Sequence, residues 1–174
     1  KELNIDLNVM IRPRGGDFIY TDAEFEQMKT EIVAFKKLNV DGFVFGILDN
    51  KGNVNIVQNK ELVALASPTP CTFHRAFDVV NKVYQSLETV IDCGFKTILT
   101  SGQEINVVEG IDVLSELVKK ANNRIVIMPG GGLRSTNIGL LKEKTNASFY
   151  HSSAIVETGE TANGAEVKAL KGKL

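Results

Sequence analysis

The sequence predicts an α/β fold, a parallel (β/α)8 barrel of TIM type, of which this chain supplies about six βα units. Three observations carry that expectation. Apolar runs of strand length alternate with amphipathic helical segments, the successive units are near-uniform in size, and no dinucleotide-type GxGxxG stands early in the chain to favour a doubly wound open sheet. Alternation of this kind forces parallel strands, because each helix must return the chain to the same end of the sheet.

The first strand is expected at LNVMIR (7–12) and a helix at about 22–38, where Phe25, Met28, Ile32 and Phe35 recur at helical spacing behind Asp22 as N-cap. GFVFGIL (42–48) is the second strand and about 56–66 its helix. CTFHRAF (71–77) is the third strand, followed by a helix at about 82–93 that Gly94 terminates. TILTSG (97–102) leads to a helix at about 105–121 with a stripe of Ile111, Leu114, Leu117 and Val118. RIVIMP (124–129) leads to a helix at about 135–144 capped by Ser135, and ASFYHSS (147–153) is the sixth strand.

Residues 1–154 are read as βα units of one barrel, and 155–174 as a loop and a short helix closing its bottom. A complete barrel takes about 250 residues, and at least about 200, against 174 here. Two N-terminal units are therefore expected to be missing ahead of Lys1, which would make PGGG and HSS the ends of strands seven and eight. Without them, 7–12 and 147–153 would be bare parallel edges needing a partner or a swapped segment, so a homo-oligomer stands among the expected partners.

Composition narrows the function. Hydrophobic content of 43%, 24% charged residues and a net charge of −1 describe a globular chain with no basic field for nucleic acid or an anionic membrane. No apolar run approaches the roughly 18 residues of a membrane span, and KELNIDLN lacks a signal-peptide layout, so a cytoplasmic location is expected. Cys71 and Cys93 are too few for a disulfide framework and read as small buried hydrophobes. No CxxC or HxxxH spacing marks a metal site, and no metal ligand is assigned.

Active sites of such barrels lie at the carboxyl ends of the strands. Here those ends carry Arg12, Pro13, Arg14, Gly15, Gly16 and Asp17; Gly46; His74, Arg75 and Asp78; Thr100, Ser101, Gly102 and Gln103; Pro129, Gly130, Gly131 and Gly132; and His151, Ser152 and Ser153. Strand alternation turns Val9, Ile11 and Phe73 toward the helices and Asn8, Met10, Arg12 and His74 toward the lumen. A lumenal arginine needs an answering charge, from Asp17, Asp78 or an anionic ligand.

Arg12 and Arg14 are either an internal salt-bridge pair or an anion clamp. His74 is a structural histidine or a proton carrier, His151 stands evenly between those roles, and Asp78 is an N-cap or a third catalytic candidate. In RIVIMPGGGLRSTNI (124–138), three glycines ahead of a helix form either a tight turn or an anion nest of backbone N–H groups. The anion-binding candidates are thus Arg12, Arg14, Arg75, Ser101, Gly130, Gly131, Gly132, Ser152 and Ser153, and the catalytic candidates are His74, Asp78 and His151.

The segments VMIRPRGGDF (9–18), DGFVFGIL (41–48), TFHRAFD (72–78), ILTSGQ (98–103), RIVIMPGGG (124–132) and FYHSSA (149–154) resemble, in order, the CutC family of copper homeostasis proteins. The resemblance implies a cytoplasmic (β/α)8 barrel with a part in copper handling, and Cu(I) as the bound ion. The cysteines proposed to bind copper in that family lie ahead of the IRPRGG segment, so no residue here inherits the role. Cu(I) prefers soft thiolate or thioether ligands, whereas the predicted rim is arginine, histidine, hydroxyl and amide. The alternative function is an enzyme or binding protein for a small phosphorylated or anionic metabolite.

Overall fold

The computed structural model describes residues 5–156 and 160–173. It divides into two compact units, 1–98 and 99–174. The elements in order are β1 (Asn8–Met10), α1 (Asp22–Lys36), β2 (Gly42–Phe45), α2 (Ile56–Ala66), β3 (Cys71–Phe73), α3 (Val83–Asp92), β4 (Thr97–Thr100), α4 (Ile111–Ala121), β5 (Val126–Pro129), α5 (Ile138–Thr145) and α6 (Gly164–Lys171), with a 3₁₀ turn at Arg75–Val79. The strands are hydrogen-bonded neighbours in chain order, β1 to β5.

In the first unit the ladders are parallel, with Val9 opposite Phe43, Phe45 opposite Phe73 and Phe73 opposite Ile98. Strand alternation then sets two faces. Ile11, Phe43, Phe45, Phe73 and Ile98 are all fully buried, and Phe95 packs on Phe45 and Phe73 at centroid distances of 5.2 Å each. The opposite parity carries Asn8, Met10, Gly42 and Thr72. There the missing side chain of Gly42 makes room for Asn8, whose Oδ1 lies 1.9 Å from where a Cβ would stand. The expected division of β1 between the two faces is thus present.

Several local expectations change. The N-cap of α1 is Thr21 rather than Asp22: its hydroxyl accepts the Glu24 N–H while the Glu24 carboxylate accepts the Thr21 N–H, a reciprocal capping box. The third strand stops at Phe73, because His74 Nδ1 accepts the Ala76 N–H and turns the chain into the 3₁₀ segment. Gly94 does end α3, with φ +94°.

In the second unit, the amide of Gly130 donates to the Thr100 carbonyl at 2.9 Å, joining β5 to β4. Its core gathers Leu114, Leu117, Ile127, Leu133, Ile138 and Leu141. Helix α4 begins at Ile111, later than the expected 105, since Gly110 crosses Ser101 so closely that a Cβ on it would meet the Ser101 carbonyl oxygen at 1.9 Å. Helix α5 begins at Ile138, with Asn137 rather than Ser135 at its cap position.

The expected sixth strand at 147–153 reduces to one parallel bridge, His151 with Gly130. Its serine hydroxyls hold the chain in turns instead: Ser152 Oγ accepts the Ala154 N–H while donating across to the Leu133 carbonyl, and Ser153 Oγ accepts the Ile155 N–H. The C-terminal helix forms as α6, and its first turn is tied to Ser135, in the loop that follows the carboxyl end of β5.

Candidate oxyanion site

In the first unit, the segment after β1 wraps around two arginines that do different work. Arg14 is saturated from within. Its Nε donates to Glu24 at 2.7 Å, its Nη2 to Asp17 at 2.9 Å and to the Ile19 carbonyl at 2.6 Å, and its Nη1 to the Gly15 carbonyl at 3.1 Å. The Asp17 carboxyl is held below its usual range chiefly by Arg14, and that of Glu24 first by the Thr21 amide and then by Arg14. Arg14 therefore braces the loop.

Arg12 is less committed. Its Nη2 donates to the Gly16 carbonyl at 2.8 Å, and its guanidinium stacks 4.7 Å from the centre of the Phe18 ring. Its Nε is buried and has no hydrogen-bond partner. On another side of Phe18 lies His74, ring centres 4.9 Å apart in an edge contact. Arg12 and His74 thus meet around one aromatic ring.

His74 is 3% exposed. Burial first, and the Arg12 charge second, lower its pKa to about 4. Because Nδ1 accepts the Ala76 N–H at 3.3 Å, the proton of the neutral ring sits on Nε2, and that atom is buried without a partner. Gly46 provides the space, since a Cβ there would lie 2.8 Å from His74 Nδ1.

Tyr20 completes this group. It is 7% exposed, its hydroxyl lies against Arg12 without a well-formed hydrogen bond, and burial raises its pKa while that contact and the Arg12 charge oppose the shift. The Tyr20 hydroxyl and His74 Nε2–H therefore share the Arg12 neighbourhood, each buried without a well-formed hydrogen bond. Arg75 pairs with Asp78 at 2.6 Å, which makes Asp78 an ion-pair partner rather than a helix cap.

In the second unit, Gly131 and Gly132 take φ of +118° and +72°. Their carbonyls accept from Val107 N–H at 2.9 Å and Asn137 Nδ2 at 3.0 Å, which fixes the loop. The amides of Gly131, Gly132, Ser152 and Ser153 make no hydrogen bond among the described residues. A Cβ on Gly130 would meet Leu99 Cδ1 at 2.4 Å and His151 Cβ at 3.1 Å, so this glycine serves packing. Ser101 Oγ donates to the Glu104 carbonyl at 2.6 Å.

Two residues that the sequence reading left out matter here. Arg134 donates to the Leu133 and Ile155 carbonyls at 2.7 and 2.5 Å and to Ser152 Oγ at 3.4 Å. Glu166 accepts from both Ser135 N–H at 2.6 Å and Ser135 Oγ at 2.7 Å, and those bonds hold its carboxyl below the usual range. Arg134 reaches Ser152 and Ile155, and Glu166 reaches Ser135, across long stretches of sequence, so no local motif announces them. Tyr20, by contrast, stands within reach of the IRPRGGDF segment and is marked by its burial.

The cysteines stay apart from this chemistry. Cys71 is 2% exposed with its thiol pushed up to about 12 by burial, and burial raises Cys93 as well. Among the described residues, no three His, Cys, Asp or Glu side chains come together as metal ligands. No described helix is long and apolar enough to cross a membrane.

Consecutive parallel strands with intervening helices define a protein of the (β/α)8-barrel class, of which this chain supplies a part. Comparison with known proteins gives the family. The chain belongs to the CutC family, whose model matches residues 1–156. It is 47% identical over 86% of its length to a CutC family protein from Parabacteroides distasonis, covering 62% of that protein. It is 44% identical over 88% of its length to the copper homeostasis protein cutC homolog of Mus musculus, covering 57% of it.

The chain thus spans about three-fifths of the curated relatives it matches. Among solved structures, CutC from Streptococcus agalactiae superposes with a TM-score of 0.83 at 35% identity, over 86% of this chain and 73% of that one. An aldolase, at TM-score 0.68 and 15% identity over 85% of this chain and 68% of that one, shares the fold alone.

Proposed function

We propose that the chain serves copper homeostasis as its family does, and that its own residues contribute a binding site for a small anionic or phosphorylated ligand rather than ligands for Cu(I). The observation that carries this reading is the set of amides at Gly131, Gly132, Ser152 and Ser153 that are unbonded among the described residues, the two glycines held through their carbonyls and the two serines through their hydroxyls. Amides held in that way are prepaid for a phosphate oxygen, needing no reorganisation when it arrives.

The thiols argue in the same direction. Cu(I) binds thiolate, and a buried thiol pushed up to about 12 is a poor source of it. The resemblance implies that the cysteines proposed for copper in the family lie ahead of the IRPRGG segment, so copper binding is proposed for the longer protein.

Phosphate titration followed by backbone amide NMR tests the site. Saturable shifts at residues 131–132 and 152–153, lost in Gly131→Val while the remaining spectrum stays folded, support the reading. Absence of any saturable shift in the parent chain overturns it.

A further inference from the structure

The first unit holds donors that the phosphate reading does not use. Arg12 Nε, Tyr20 Oη and His74 Nε2 are all buried without a well-formed hydrogen bond; among the described residues they share that condition with Tyr150 Oη, whereas buried polar groups are ordinarily paired. An unmet buried donor is costly, and the Tyr20 hydroxyl and His74 Nε2–H beside the Arg12 guanidinium mark a place built for an acceptor.

The acceptor's character follows from what surrounds it. Arg12 is the group that acts on both His74 and Tyr20, so the three share one electrostatic neighbourhood. Arg14, the next cation, is neutralised by Asp17 and Glu24. His74 is fixed as a neutral Nε2–H donor by the Ala76 amide on its other nitrogen. One uncompensated positive charge, set against the Tyr20 hydroxyl, and the O–H and Nε2–H donors beside it match a monoanion better than a dianion.

We infer that Arg12, Tyr20 and His74 form a binding site for the carboxylate of a small organic acid, with His74 acting as a neutral hydrogen-bond donor and not as a proton carrier. The guanidinium supplies charge and direction, the phenol and imidazole supply two further N–H and O–H donors, and Phe18 holds Arg12 and His74 on its faces and edge. The site deepens the anionic-ligand reading but uses residues separate from the glycine loop, so either can fail without the other.

The chain contains two histidines, which makes selective ¹⁵N labelling of histidine a clean probe. At neutral pH the His74 ring is expected as the Nε2–H tautomer, and acetate is expected to shift that nitrogen saturably, with little change in affinity between pH 5.5 and 7.5. Tyr20→Phe weakens acetate by about three- to tenfold, the worth of one hydrogen bond. Arg12→Lys, which keeps the charge but removes Nε, weakens it at least as much.

Inorganic phosphate run alongside perturbs His74 less than acetate does. A His74 nitrogen that never responds to acetate, or that responds equally in the folded Tyr20→Phe variant, overturns the inference. So does an affinity that falls as pH rises through 6 to 7, since that reports a cationic histidine. The phosphate response at residues 131–132 and 152–153 is read in the same titration and judges the earlier proposal separately.

Discussion

Acidification should strike this protein first at His74. The ring moves from an ordinary value of 6.5 to about 4 in the fold, because burial and the Arg12 charge both disfavour its protonated form. The unfolded chain therefore takes up a proton between those values that the folded chain refuses. Stability is full above about pH 6.5 and falls as the pH drops toward 4. At 1.36 kcal/mol per tenfold change in proton affinity, the loss approaches about 3 kcal/mol at the bottom of that window.

Urea unfolding of the parent and of His74→Gln at pH 7, 6, 5 and 4.5 measures it, with the midpoint converted through a common slope. The parent should lose most of that amount while the variant, which has no proton to refuse, stays nearly flat. Above the carboxylate range the only other imidazole is His151, which is exposed. Parallel decline of both proteins across the window would refute the reasoning.

Other consequences are local. Gly46→Ala puts a methyl 2.8 Å from His74 Nδ1 and 3.1 Å from Phe73 Cε1; overpacking of this kind costs about 1–3 kcal/mol, lowering the melting temperature by about 2–10 °C in a chain of this size and displacing the His74 nitrogen resonance. Glu166→Gln should flatten the acid limb of unfolding below pH 4.5, because a carboxyl held below its ordinary value of 4.5 stabilises above that value and loses its contribution as pH falls through the lower one. Cys71 should resist thiol reagents at pH 8 until urea is added, its thiol being 2% exposed and pushed up to about 12.

Much of the fold is legible in the sequence, because parallel strands buried beneath helices announce themselves as apolar runs. The second helix, Ile56–Ala66, falls on its expected bounds. The strand ends are less legible. CTFHRAF reads as one strand, yet a single bond from Ala76 N–H to His74 Nδ1 competes with the ladder and bends the chain after Phe73. ASFYHSS has strand-forming residues but also two serines that prefer their own backbone, which leaves one bridge.

The candidate site divides along the same line. Arg12, His74 and the glycine loop stand in motifs next to strand ends, where the fold class alone directs attention. The different fates of Arg12 and Arg14 depend on Glu24, ten residues further on, which takes Arg14 and leaves Arg12 Nε unmet. Glu166 reaches Ser135 across 31 residues, a distance at which spacing carries no signal.

The most direct test of the central claim is anaerobic competition for Cu(I) between this chain and a chromophoric Cu(I) chelator, with a longer family member carrying the preceding βα units as comparison. The account predicts that this chain leaves copper with the chelator while still giving saturable amide shifts with phosphate. Stoichiometric removal of Cu(I) by this chain, lost on substituting Cys71 or Cys93, would contradict it.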